Sequence, residues 1–76
     1  MARVAFYTAA GCHLCEQARA ILDAEDVEFT EVDITGVPAL EEAYREWLPV
    51  VEIDGERVFV FRIPVGALRR KLGAQG

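Results

Sequence analysis
The chain has 76 residues, 53% of them hydrophobic, with thirteen acids against eight bases and a net charge of −5. A chain this short makes one domain, residues 1–76, that buries only about 60% of the surface its unfolded form exposes, so its core must be simple. The acidic balance speaks against a nucleic-acid partner, which needs a basic face; no apolar run approaches the roughly 20 residues of a membrane span; and residues 1–7 are too short for a signal peptide. A cytoplasmic monomer with no membrane or nucleic-acid partner is expected.

Arg3 to Tyr7 is a mostly apolar run without charge after Arg3, as in a strand covered on both faces. Thr8-Ala9-Ala10-Gly11 turns into Cys12-His13-Leu14-Cys15, a C-x-x-C unit that holds the only two cysteines of the chain. From Leu14 onward, apolar residues at 14, 18, 21 and 22 recur at helical spacing, which predicts a helix to about Glu25. Val27 to Ile34 reads as a second strand whose apolar phase slips, with Val27 and Phe29 on one face and Val32 and Ile34 on the other; a bulge or an edge position accounts for this. Pro38 opens a short helix with Leu40, Ala43, Tyr44 and Trp47 along one stripe, and Pro49 ends anything helical by Leu48.

Val50 to Ile53, Asp54-Gly55 and Glu56 to Phe61 form a hairpin signal, because Asp-Gly supplies the positive φ angles of a type I′ turn. Pro64 opens a last helix with Val65, Leu68 and Leu72 on its apolar face, Arg69-Arg70-Lys71 in its last turn, where cations complement the dipole, and Gly73 as a stop. Ala74 to Gly76 is expected to fray. The order β-α-β-α-β-β-α predicts an α/β fold: a mixed four-stranded sheet, the first two strands parallel, with helices on both faces.

One close cysteine pair is too sparse for a secreted disulfide framework, and it points to a redox or metal role. At the start of a helix, a thiolate meets unpaired backbone N–H groups and the positive end of the dipole. Cys15 lies three residues before Ala18 and seven before Leu22, which turns it toward the buried stripe, while Cys12 sits at the open end.

On Tyr7-Thr8-Ala9-Ala10-Gly11-Cys12-His13-Leu14-Cys15, Leu48-Pro49-Val50-Val51 and Ile53-Asp54-Gly55, the chain resembles the short glutaredoxin-like proteins of the thioredoxin superfamily over nearly its whole length. The resemblance implies a thioredoxin-like fold and a thiol–disulfide oxidoreductase, with Cys12 attacking and Cys15 resolving. It also implies a cis Pro49 beside the pair, leaving the Leu48 backbone to meet an extended substrate; a trans Pro49 that simply ends the helix is the alternative. His13 either supports the thiolate when protonated or is a solvated residue of the first turn. Trp47 either joins Leu14 and Leu48 in an apolar rim that suits a protein substrate, or packs in the core with Leu40 and Tyr44, as its helical phase favours.

Two departures bear on cofactors and partners. Glutathione-dependent members carry a lysine where Ala9-Ala10 stand here, and a Gly-Gly pair with acidic residues where this chain reads Arg62-Ile63-Pro64-Val65-Gly66-Ala67. Arg62 is the one nearby charge to replace those contacts, so weak glutathione binding and no tightly bound cofactor are expected. The substrate is then a disulfide in a protein or small molecule, and the reductant is glutathione or a thioredoxin reductase-type system. A dimeric module sharing an iron–sulfur cluster or metal through Cys12 is the alternative function. A single chain provides no metal site, since adjacent Cys, His and Cys cannot wrap a tetrahedral ion.

Overall fold
In the computed structural model, which describes residues 3–73, the first apolar run forms strand β1 (Val4–Thr8) and the Cys-x-x-Cys unit leads into helix α1 (His13–Ala24). Strand β2 (Thr30–Asp33), helix α2 (Pro38–Tyr44) and a single 3-10 turn (Arg45–Trp47) follow. The hairpin strands β3 (Val50–Ile53) and β4 (Glu56–Val60) and helix α3 (Val65–Gly73) complete the chain. The expected fraying of Ala74 to Gly76 lies outside the described residues.

The strands lie in the order β2-β1-β3-β4, with β1 parallel to β2 and antiparallel to β3, and β3 antiparallel to β4. β1 is therefore central, and its C-terminal end delivers the chain to the cysteines. Val4 and Phe6 point to the side where Cys15, Ala18 and Leu22 of α1 and Leu68 of α3 meet Val51, Ile53 and Ile63 in one cluster. Complete burial of Phe6 and Leu22 removes whole side chains from water, at about 1.5–3 kcal/mol each. Arg69 reaches from α3 to Glu25 at the end of α1, at 2.5 and 2.9 Å, so one member of the basic cluster joins two helices; Arg70 and Lys71 lie in the last turn.

The opposite face is covered less completely than a strand buried on both faces requires. Ala5 and Tyr7 are only half-buried, because α2 is seven residues long and buries no side chain fully. Its hold on the sheet is Tyr44, stacked on Tyr7 with ring centroids 4.1 Å apart. Both hydroxyls donate to the Glu52 carboxylate, at 3.2 Å from Tyr7 and 2.8 Å from Tyr44, and the Arg57 guanidinium lies 5.0 Å above the Tyr44 ring.

The second strand is shorter than its apolar pattern. Val27 and Phe29 pack against the main cluster, Phe29 edge-on to Phe6 at 5.6 Å, but pairing with β1 begins only at Thr30. Val32 stands opposite Tyr7 and so faces α2. The edge position explains the apparent slip: the segment buries one face first and the other face later. At the hairpin, Asp54 and Gly55 take φ angles of 53° and 82°, as the turn requires. The register shifts between Val51 and Glu52 relative to β4.

Candidate active site
Gly11, at φ 77°, turns the chain out of β1, and Cys12 becomes the N-cap of α1 with extended backbone angles. The loop before it is tied to the end of β2: Ile34 N–H donates to the Thr8 carbonyl at 2.9 Å and Ala10 N–H to Thr35 Oγ1 at 3.0 Å. The Asp33 carboxylate accepts the Thr35 N–H at 2.9 Å, and this bond holds it below the usual carboxylate range. Parallel pairing of β1 with β2 thus builds the platform on which the cysteines sit.

Cys12 and Cys15 are joined as a disulfide, with Cα atoms 5.2 Å apart. Cys15 is 1% exposed and belongs to the core cluster, whereas Cys12 is half-buried at its margin. The Cys15 N–H donates to Cys12 Sγ at 3.1 Å. The helix that buries one sulfur therefore offers one of its free first-turn N–H groups to the other, and charge that develops on Cys12 meets both that donor and the positive end of α1.

The peptide bond between Leu48 and Pro49 is cis, and Pro49 is buried. Leu48 packs partly buried against the core, as Cys12 does. The Pro49 carbonyl accepts the Phe61 N–H at 3.0 Å, and the Trp47 carbonyl lies 3.3 Å from the same donor. The end of β4 is thereby fastened to the proline turn.

Trp47 is not in the core. It is 43% exposed, because the chain tightens into a 3-10 turn at Arg45 and the stripe that carried Leu40 and Tyr44 no longer points inward two residues later. Its ring lies 5.8 Å from that of Phe61, which is 47% exposed. Leu14 likewise leaves the buried stripe of α1 and is 48% exposed. Phe61 was not singled out by its sequence, where it reads as the last residue of a strand. Its φ of 69° takes it out of β4 and aims it elsewhere, and no local signal marks a phenylalanine for that conformation.

His13 is 92% exposed in its side chain, with Nδ1 3.7 Å from the Glu16 carboxylate. Its side chain is solvated in the first turn of α1, with the Glu16 carboxylate as its neighbour there. Arg62 is exposed past the end of β4, where its N–H donates to the Val60 carbonyl at 2.8 Å; with Leu14, Phe61 and Ile63 it lines a cleft of about 40 Å³. On the other flank of Cys12, a polar groove of about 160 Å³ is lined by Thr8, Glu16, Arg19, Glu31 and Asp33. Arg19 there is paired with Glu31 at 2.6 Å, so the groove gains no free cation from it. Among the described residues no group of three or more His, Cys, Asp or Glu side chains is placed to hold a metal ion, and no helix is long and apolar enough to cross a membrane.

The family model of the Glutaredoxin-like domain (DUF836) matches residues 3–73. Among solved structures, the X-ray structure of protein XcR50 from X. campestris is similar at 33% identity and a TM-score of 0.81, over 93% of this chain and 96% of that one. The glutaredoxin-like protein NrdH-redoxin from Escherichia coli is similar at 26% identity and a TM-score of 0.65, over 79% of this chain and 84% of that one. Glutaredoxin 1 from Francisella tularensis, at 19% identity and a TM-score of 0.67 over the full length of both chains, shares the fold. A comparison with curated proteins finds no match.

Proposed function
We propose that this chain, which belongs to the glutaredoxin-like domain family, is a thiol–disulfide oxidoreductase that reduces disulfides through Cys12 and Cys15. The observation that carries the reading is the inequivalence of the two sulfurs: Cys12 is half-buried and accepts the Cys15 N–H, and Cys15 is closed into the core. Similarity to XcR50 and to NrdH-redoxin, a glutaredoxin-like protein with a thioredoxin-like activity profile, supports the setting.

The reaction begins from the reduced pair. The Cys12 thiolate attacks one sulfur of the substrate disulfide, forming the Cys12–substrate bond as the substrate S–S bond breaks; the expelled thiolate takes a proton from water. Cys15, deprotonated, then attacks Cys12 Sγ. The Cys12–Cys15 bond forms, the mixed disulfide breaks, and the second substrate thiol leaves. Two electrons have passed from the dithiol to the substrate, and an external dithiol or thiol reductant restores the pair.

The helix N-terminus stabilises the first thiolate, and the proline turn lets Leu48 receive an extended substrate. Leu14, Leu48 and Trp47 form an apolar margin that favours a protein disulfide over glutathione. The cytoplasm, whose reductants keep such pairs cycling, is the compartment we assign.

The test uses the two serine variants. Cys12→Ser should lose all turnover of a protein disulfide, and Cys15→Ser should attack once and accumulate a mixed disulfide visible by mass spectrometry. Full turnover in both variants would sink the proposal.

A further inference from the structure
Among the described residues three non-glycines have positive φ angles: Asp26 at 59°, Asp54 at 53° and Phe61 at 69°. Aspartate visits this region readily, but a bulky aromatic residue does not, because its Cβ crowds the following carbonyl. Glycine would take the same angles without that cost. The fold needs from position 61 only a backbone N–H for the Pro49 and Trp47 carbonyls, which glycine also supplies. What phenylalanine adds is the ring, which is 47% exposed and so gains only part of the burial that a core phenylalanine would set against the strain.

The place where the ring is held is specific. It lines the same 40 Å³ cleft as Leu14, which lies between the two cysteines in sequence, and its ring is 5.8 Å from that of Trp47, beside the proline turn. Leu14, Trp47 and Phe61 are three of the four large apolar side chains most exposed in the described residues. Leu14 belongs to the C-x-x-C unit itself, and Trp47 immediately precedes the Leu48-Pro49 turn. Strained backbone is kept where the surrounding structure enforces it, and it gathers at sites of ligand contact.

We propose that Phe61 is a specificity-determining residue. With Trp47 and Leu14 it receives a large aliphatic or aromatic side chain adjacent to the reactive half-cystine of a protein disulfide. The inference rests on the oxidoreductase reading above and names its substrate class more closely. The cleft, lined by Leu14, Ile21, Phe61 and Ile63 among others, has room for the tip of one side chain, and the Trp47 ring lies 5.8 Å from that of Phe61.

Two disulfide-linked peptides, identical except for leucine or serine after the half-cystine, test this with dithiothreitol as the reductant. Wild-type protein should favour the leucine peptide in kcat/KM by about tenfold, the factor expected from roughly 55 Å² of apolar contact at about 25 cal/mol per Å². Phe61→Gly should reduce that preference to near unity, chiefly through KM, while its Tm stays level or rises as the strain is released. Phe61→Ala should lose the preference too but keep the strained angle, so its Tm should fall below that of Phe61→Gly.

A preference that survives in Phe61→Gly, or is absent from the wild type, would overturn the assignment. So would a fall in Tm in Phe61→Gly, which would show that the ring serves packing. Failure of the wild type on both peptides and on a small aromatic disulfide would instead reject the oxidoreductase reading on which the inference stands.

Discussion

Alkylation of the reduced protein reads the chemistry of the pair directly. In that state Cys12 keeps the neighbouring Cys15 N–H, 3.1 Å from its sulfur in the disulfide form, and the N-terminal end of a twelve-residue helix. A hydrogen bond to a charged group contributes about 1.5–3 kcal/mol, and a helix terminus about 0.3–1 kcal/mol. Together they favour the thiolate by about 2–4 kcal/mol, or roughly 30- to 800-fold in thiolate population at about 1.36 kcal/mol per decade. A stabilised thiolate is also a weaker nucleophile, and a Brønsted slope of about 0.4–0.5 removes nearly half of the logarithmic gain.

The net expectation is that iodoacetamide modifies Cys12 about 6- to 40-fold faster than cysteine in an unstructured peptide at mildly acidic pH. Cys15, 1% exposed, should be modified more slowly than that peptide. Quenched time points resolved by mass spectrometry give both rates. Faster modification of Cys15, or a Cys12 rate equal to the peptide's, would refute the assignment of roles.

The remaining predictions address glutathione and the opposite face. Glutathione should bind the Cys15→Ser protein with a dissociation constant above about 1 mM, since two missing charge-assisted bonds at about 1.5–3 kcal/mol each remove more than a hundredfold in affinity. Calorimetry giving a submillimolar constant that Arg62→Ala abolishes would contradict this. The Tyr44 hydroxyl beside it, burial and the Glu52 carboxylate hold the Tyr7 phenol well above its ordinary range. That raised value favours the folded state fully below about pH 10, the ordinary phenol value, and the benefit is lost as pH rises further toward the folded-state value. Above pH 10 the Tm of the wild type should therefore fall more steeply than that of Tyr7→Phe, and parallel curves would show that Tyr7 is not coupled to folding.

Much of this protein is legible along the chain because its signals are local. A C-x-x-C unit between an apolar run and a helical pattern places Cys12 at a cap and Cys15 on the inner face, since 3.6-residue periodicity alone decides which side each faces. Asp54-Gly55 defines the hairpin for a similar reason, because its two residue types accept the angles of the turn. The element order followed, and with it the mixed sheet.

Tertiary contacts decided what surrounds the sulfurs. Trp47 obeys helical phase on paper, yet a 3-10 turn ahead of Pro49 rotates it out of the stripe. The second strand is cut to Thr30–Asp33 because backbone pairing with β1, not its apolar residues, sets its start. Phe61 takes a left-handed angle through hydrogen bonds to residues 47 and 49, more than ten positions away. Periodicity and turn propensity act over a few residues and are visible in any short window. The exposed apolar side chains Leu14, Trp47 and Phe61 come from α1, the turn before Pro49 and the end of β4, and only the packing of these segments in space determines that they remain exposed.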